Sequence, residues 1–302
     1  MHQSHGGWCA EVTIFLLNVG FGLVTASVLS LLSVGLSLQF GVTNFVNFAY
    51  GSYLGVGMML AYTFSQTLHF PFWAAAALGT IGTGVVSMVI AEGVLEPFVR
   101  RRKSLFYMLI VTFGLSLVLD NLLQIFYGVD FFQYPVAQSS PVTIGPFSFT
   151  SAQLAIIAIA VVAMIGVHLL LSRTRLGKAM RAMSDNMDLA RSSGIDTKNV
   201  TRWTWFLSGC LAGLGGIVLA LNIVSFQTNS GETLLFVIFA AVILGGIGQT
   251  YGAMLGALVI GMVTEISTSF ISSAYKRDIA FIVLVLMLLL RPQGLIAAKG
   301  KA

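Results

Sequence analysis

The 302-residue sequence predicts an all-α protein, a polytopic bundle of transmembrane helices, on three observations. First, 57% of the residues are hydrophobic and only 9% are charged, whereas soluble domains carry roughly 25% charged residues. Second, apolar residues gather into runs of bilayer-spanning length near 12–38, 48–66, 72–99, 105–128, 151–172 and 203–224, with a longer one at 234–272. Third, the 16 Lys and Arg are confined to Arg100 to Lys103, Arg173 to Arg202, Lys276 with Arg277, and Arg291 to Lys301. Backbone groups meet no water in lipid and no barrel-type alternation is visible, so each run is a helix. A net charge of +5 confined to such stretches suits membrane topology rather than nucleic-acid binding.

Residues 1–302 read as one transmembrane domain. Met1 to Glu11 has no basic n-region, and the run at 12–38 exceeds a signal-peptide core, so the first helix reads as a retained span. Placing the three largest basic stretches in the cytoplasm puts the amino terminus outside. The loop 129–150 is then external; it lacks Lys and Arg and holds Pro135, Pro141 and Pro146, which favour an ordered extended connection. Helix 151–172 returns to a cytoplasmic segment, 173–202, and helix 203–224 leaves again. Because the carboxyl terminus is also cytoplasmic, an odd number of crossings must follow. The run 234–272 supplies two, hinged at Gly245 to Gly252, and 279–296 the third, for nine spans. A re-entrant dip at that glycine-rich turn leaves eight. Tyr50-Gly51-Ser52-Tyr53-Leu54-Gly55 and Tyr251-Gly252-Ala253-Met254-Leu255-Gly256 match at four of six positions, which admits an internal repeat of the kind transporters carry.

The chemistry available is limited. The two cysteines, Cys9 and Cys210, form no disulfide framework, and His2, His5, His69 and His168 are scattered. Lys178 and Lys301 follow glycines, but alanine holds the Ser/Thr place of a phosphate loop. Neither a zinc-protease helix nor a serine-hydrolase elbow is present, which argues against a membrane-embedded enzyme. Glycine stripes at Gly79, Gly82 and Gly84 and at Gly252, Gly256 and Gly261 read as close helix packing, with hinges as the alternative. Four acids fall in spans. Glu92 and Glu96 sit near the basic cytoplasmic boundary and read as structural. Asp120 and Glu265 lie about 15 residues, roughly 22 Å, from the cytoplasmic ends of their helices. No Lys or Arg within a span pairs with them, so each is either an interhelical hydrogen-bonding group or part of a solute pathway. With Asn44 and Asn47, they form the candidate pathway set.

The stretch Arg173 to Asp196 reads as two short amphipathic helices. Leu176, Met180 and Met183 follow one face of the first; Asp185 or Asn186 caps the second, and Gly194 ends it. One reading is a basic connector lying on anionic headgroups. The other is a helix that docks in a groove on a partner.

The pattern Asp188-Leu189-Ala190-x-x-x-Gly194 resembles the Glu-Ala-Ala-x-x-x-Gly signature of bacterial ABC importer permeases, with Asp for Glu and Leu for the first Ala. Further stretches are Arg-Thr-Arg-Leu-Gly-Lys-Ala-Met-Arg-Ala from Arg173, Asn47-Phe48-Ala49-Tyr50-Gly51, Leu244-Gly245-Gly246-Ile247-Gly248 and Arg291-Pro292-Gln293-Gly294-Leu295. Together they resemble the branched-chain amino-acid permease family of the LivH type over essentially the whole chain. The chain departs at Tyr50, where the family commonly has His. The resemblance implies a multi-pass inner-membrane importer subunit for branched-chain or other hydrophobic amino acids. It also implies a LivM-type second permease, two cytoplasmic ATPase subunits that hold ATP and Mg, and an extracytoplasmic binding protein, with no cofactor in this chain. Urea or short-amide permeases are closely similar, and an ion-coupled secondary transporter is the reading left if the resemblance is set aside. A chain without a phosphate loop uses ATP only through contact, so Ser184 to Gly194 is the expected coupling helix. Within it Ser184, Asp185, Asp188, Leu189, Ala190 and Gly194 are the candidate contacts: Asp188 near a positive helix end, Ala190 kept small by a groove, and Gly194 allowing a sharp exit.

Overall fold

The computed structural model describes residues 5–100, 104–136, 142–144, 147–290 and 294–295. Arg101 to Lys103, Pro141, Pro146, Arg291, Lys299 and Lys301, on which parts of the sequence reading rest, lie outside them. The helices are α1 (His5–Thr43), α2 (Tyr50–Tyr62), α3 (Phe72–Ile90), α4 (Glu96–Arg100), α5 (Leu105–Tyr127), α6 (Ser151–Arg173), α7 (Arg175–Asp185), α8 (Met187–Ser192), α9 (Thr197–Ile223), α10 (Ser230–Gly245), α11 (Thr250–Ile266) and α12 (Lys276–Leu290). Short strands β1 (Phe132–Gln133), β2 (Val142–Ile144), β3 (Phe147–Phe149) and β4 (Ser225–Phe226) pair antiparallel as β1 with β4 and β2 with β3.

This is a helical membrane bundle with fewer full spans than the eight to nine predicted. Among the described residues, six helical stretches are long and apolar enough to cross a bilayer: Phe15–Thr43, Phe72–Val99, Leu105–Tyr127, Ser151–Arg173, Thr197–Ile223 and Thr250–Ser269. The apolar runs assigned to α2, α10 and α12 yield shorter helices. Helix α2 starts within two residues of the predicted run and stops at Tyr62, where the chain passes into a π-helical turn at Thr63–Thr67; the link before it sets its position. α1 continues to Thr43, Asn44 adopts a left-handed φ of 57°, and the chain turns back so that the Tyr50 hydroxyl donates to the Leu32 carbonyl at 2.9 Å. Helix α2 therefore starts alongside the middle of α1, and its first turn packs on that of α10, Gly51 against Gly231 and Glu232.

Helices α1, α2, α3, α9, α10 and α11 form the core, with α1 against α11 and α3 against α9 as the most extensive antiparallel pairs. The predicted small-residue stripes lie at these contacts: Gly79 faces Ala61, Gly84 faces Cys210 and Gly261 faces Ala26. The turn at 246–249 is a hairpin between antiparallel α10 and α11. A Cβ on Gly245 would stand 2.1 Å from the Gly252 carbonyl oxygen, so glycine is what lets these two helices meet. The repeat motif stands in unlike settings, since α11 packs on α10 in this hairpin whereas α2 rests chiefly on α3, α9 and α10.

The bundle has two distinct ends. One carries α7, α8, the hairpin turn and the start of α9. The other carries the strands, where Tyr134 is buried among Phe72 and Phe226 at ring separations of 5.1 and 4.8 Å and donates to the Met58 carbonyl at 3.0 Å. Helix α5 lies outermost. Its buried side is the single row Met108, Thr112, Ser116 and Asp120, turned toward α2, while Phe113, Leu117, Val118 and Ile125 are exposed.

Candidate functional site

The link between α6 and α9 is built by three successive side-chain caps. The Thr174 hydroxyl accepts from the Gly177 amide at 3.0 Å and starts α7; Asn186 Oδ1 accepts from the Leu189 amide at 2.9 Å and starts α8; Asp196 Oδ1 accepts from the Asn199 amide at 3.1 Å and starts α9. Each cap satisfies an otherwise orphaned amide and fixes one corner of the chain. Met180 and Met183, at 2% and 0% exposure, anchor α7 on the bundle with half-buried Leu176, while Arg175, Lys178 and Arg181 face outward. Gly194 (φ +84°) closes α8: its amide bonds the Arg191 carbonyl and the Ile195 amide bonds that of Ala190.

Of the six candidate contacts on this link, Asp185, Asp188, Leu189 and Gly194 are exposed. Ser184 is half-buried and lies against Gly41 at the end of α1. Ala190 points inward at 3% exposure, so its small size is set by packing within this chain and not by an outside groove. A six-residue helix is too short for its sequence to reveal which face is buried. The outward apolar pair is Leu189 at 64% and Met187 at 37% exposure. Met187 was missed from sequence, although an apolar residue opening a capped helix beside an acid was the available signal.

The four pathway candidates do not converge. Asn44 is exposed at the link after α1. Asn47 is fully buried; its Oδ1 accepts from the Ala49 amide at 3.0 Å and its Nδ2 donates to Gln39 Oε1 at 3.3 Å, which holds the entry into α2. Asp120 is 5% exposed; Ser116 donates to its Oδ2 at 3.3 Å, Ser116 in turn lies 2.9 Å from the Ser52 hydroxyl, and Oδ1 has no hydrogen-bond partner among the described residues. Glu265 sits near the strand end. It accepts from the Thr25 hydroxyl at 2.9 Å and from Lys276 Nζ at 2.7 Å, so the acid read as unpaired has a cation from the start of α12. Glu92 and Glu96 pair across to α9, with Arg202 and with Lys198 at 3.6 Å respectively. Among the described residues no three metal-ligating side chains cluster as a metal site.

A family model described as "Branched-chain amino acid transport system / permease component" matches residues 18–290. The chain belongs to this permease family. The permease is 28% identical over 297 residues to the probable branched-chain amino acid transport permease LivH of Methanocaldococcus jannaschii, covering 92% of this chain and 91% of that one. It is 26% identical over 294 residues to LivH of Escherichia coli, covering 93% and 95%. It is also 26% identical over 232 residues to the E. coli ribose import permease RbsC, covering 72% and 66%. Among solved structures, a chain of PsaBC from Streptococcus pneumoniae in complex with Fab shares the fold, with a TM-score of 0.51 and 12% identity over 90% of this chain and 91% of that one.

Proposed function

We propose that this permease subunit carries branched-chain or other hydrophobic amino acids inward across the cytoplasmic membrane, driven by ATP hydrolysed on partner chains. The observation that carries this is the outward Met187-Asp188-Leu189 edge on α8, held by the buried Met180, Met183 and Ala190. In this reading 173–202 is the cytoplasmic coupling segment, the strand end with 129–150 is extracytoplasmic, and the amino terminus is outside. A LivM-type second permease completes the membrane unit, two ATPase subunits bind ATP with Mg, and an extracytoplasmic binding protein delivers the solute. The relatives' amino-acid permease names support the substrate class. Neither the urea nor the ion-coupled alternative gains from them.

The coupling contact is apolar and steric. Leu189 and Met187 enter a groove on the ATPase; Asp185 and Asp188 flank them with charge; Ser184 holds one end of the projection against Gly41, and Gly194 turns the chain out of the other. Motion of the ATPase pair then reaches α1 through Ser184 and Gly41, and α9 through the Asp196 cap. Asn44, Asn47 and Asp120 belong in this reading to the moving link and helix beside the pathway, and Glu265 to its extracytoplasmic rim. Leu189→Asp tests the assignment cleanly, because an exposed position costs the fold within about 0.5 kcal/mol. The expected result is normal membrane abundance with loss of ATPase co-purification and of ATP-driven uptake. Intact co-purification and uptake in Leu189→Asp and in Met187→Asp overturn it.

A further inference from the structure

Of the six aspartates in the sequence, Asp120 alone is buried, at 5% exposure; Asp130, Asp185, Asp188, Asp196 and Asp278 are exposed. Ser52 faces it from α2, and Gly51, beside Ser52, packs against Glu232 of α10. Glu232 is the charged neighbour that acts on it, with the same sign, and no Lys, Arg or His answers it among the described residues. Three oxygen–oxygen contacts run from the carboxyl group to the backbone of α5. Asp120 Oδ2 meets the Ser116 hydroxyl at 3.3 Å, that hydroxyl meets the Ser52 hydroxyl at 2.9 Å, and the Ser52 hydroxyl meets the Ser116 carbonyl at 3.3 Å. Two serines bring two hydrogens. With Asp120 ionised, Ser116 donates to Oδ2 and Ser52 to the carbonyl, which leaves the shortest contact without a hydrogen. Turning Ser52 toward Ser116 only moves the gap to the carbonyl. The second carboxylate oxygen, Oδ1, is buried and has no partner among the described residues, a costly state for a charged group in a membrane interior. One more hydrogen, on Oδ2, removes each defect. Oδ2–H then donates to Ser116, Ser116 to Ser52 and Ser52 to the carbonyl, while Oδ1 becomes an uncharged carbonyl oxygen whose missing partner costs far less.

We propose that Asp120 is a proton-binding site and that the bound proton latches α5 to α2. The proton comes from water and returns to it, and the one bond made or broken is Oδ2–H. When the proton leaves, the ladder through Ser116 and Ser52 is one hydrogen short. Asp120 and Glu232 then stand as like charges on either side of the first turn of α2. Both effects push α5 away from α2, so acid holds this helix and alkali releases it. The site lies apart from the α8 projection, and its occupancy sets how firmly the outermost helix is seated whatever solute is carried.

The test is infrared spectroscopy of the full-length chain in lipid, with carbon-13 placed at the aspartate carboxyls. A carboxylic-acid carbonyl band that shifts with the label is expected at neutral pH and should be absent in Asp120→Asn. Ser116→Ala removes the acceptor of Oδ2–H and Ser52→Ala the next oxygen along, so the band should be displaced in both, more in the first. Those two variants also assign the band if Asp120→Asn fails to accumulate. Thermal unfolding is the second readout. The fold holds the proton and the unfolded chain gives it up to water, so the wild type should lose midpoint as pH rises, whereas Asp120→Asn keeps an N–H donor toward Ser116 and loses less. Aspartate bands of the carboxylate form alone at neutral pH overturn the proposal. So does a carboxylic-acid band that moves in neither serine variant, or a midpoint difference between wild type and Asp120→Asn that is the same at every pH.

Discussion

Replacing Lys276 by Met, Glu265 by Gln, or both at once, decides whether Glu265 is a fastener or a pathway group. In the structure Glu265 has a side chain only 11% exposed and answers both Thr25 and Lys276, so α1, α11 and the start of α12 meet at one carboxylate. Lys276→Met leaves that carboxylate with the Thr25 hydroxyl alone. Stranding a fully buried charge costs about 3–5 kcal/mol. The lysine side chain is 38% exposed, so water screens the pair and the figure is discounted to about 1–2 kcal/mol. Glu265→Gln removes the charge but keeps an acceptor for Thr25 and frees a cation that already reaches water, which sets a smaller loss, below about 1 kcal/mol. The double replacement, with no charge left to satisfy, should fall near the wild type. The expected order of stability is therefore wild type and double variant together, then Glu265→Gln, then Lys276→Met. Thermal unfolding in detergent at fixed ionic strength reads the order, and solute uptake at equal protein level is measured beside it. An unchanged midpoint in Lys276→Met, or a double variant that is the least stable of the four, refutes the fastening argument. Loss of uptake in Glu265→Gln at full stability assigns the acid to the pathway instead.

Other consequences are as direct. Met183→Ala removes a fully buried anchor of α7 and should cost about 2–5 kcal/mol; trypsin cleavage at Arg181 and Arg191 should accelerate in membranes. Gly57→Leu should abolish membrane accumulation, because even a Cβ there stands 2.4 Å from the Gly213 Cα, whereas Gly114→Ala meets nothing within 4 Å and should be tolerated or mildly stabilising. Tyr134→Phe deletes the bond to the Met58 carbonyl and should lower stability by about 1–2 kcal/mol by thermal unfolding. Burial pushes the Tyr134 phenol above its usual range. The ordinary phenol pKa is the lower of the two, so Tyr134's contribution is held from neutral pH up to that value and is lost as pH rises from it toward the higher one, because the unfolded chain ionises first. The midpoint difference between Tyr134→Phe and the wild type should be constant below that range.

Helix identity was written in the apolar runs, because a bilayer leaves the backbone no other choice; helix length was not. The placement of α2 follows from Asn44 and from Tyr50 reaching Leu32, a tertiary contact that no run of hydropathy encodes, and its end at Tyr62 from the π-helical turn that follows. The π-helical turns at Thr63–Thr67 and Ala91–Leu95 are equally silent in composition. At the projection, the caps at Asn186 and the exit at Gly194 were readable, since a short polar side chain before a helix and a glycine after it have local causes. The inward turn of Ala190 was not readable, because it depends on what α8 lies against. The partner of Glu265 was hidden for a related reason: Lys276 follows it by eleven positions, across two short 3₁₀ turns whose path is set by packing. Ser116, four positions before Asp120 on one helix, was the contact of a span acid that spacing alone could have supplied.

The row Met108, Thr112, Ser116 and Asp120 has a meaning beyond its hydrogen bonds. Lipid tails are as oily as the leucines of α5, so the greasy surface of this helix has no preference for any neighbour or any rotation about its own axis. The buried polar groups Thr112, Ser116 and Asp120 distinguish one azimuth from another. A turn of 100°, one residue's worth, would carry Ser116 and Asp120 into hydrocarbon, at a cost that leaves a single rotational setting. Three polar side chains thus do for α5 what a slot does for a key: they leave it free to slide or tilt as a body while forbidding it to spin.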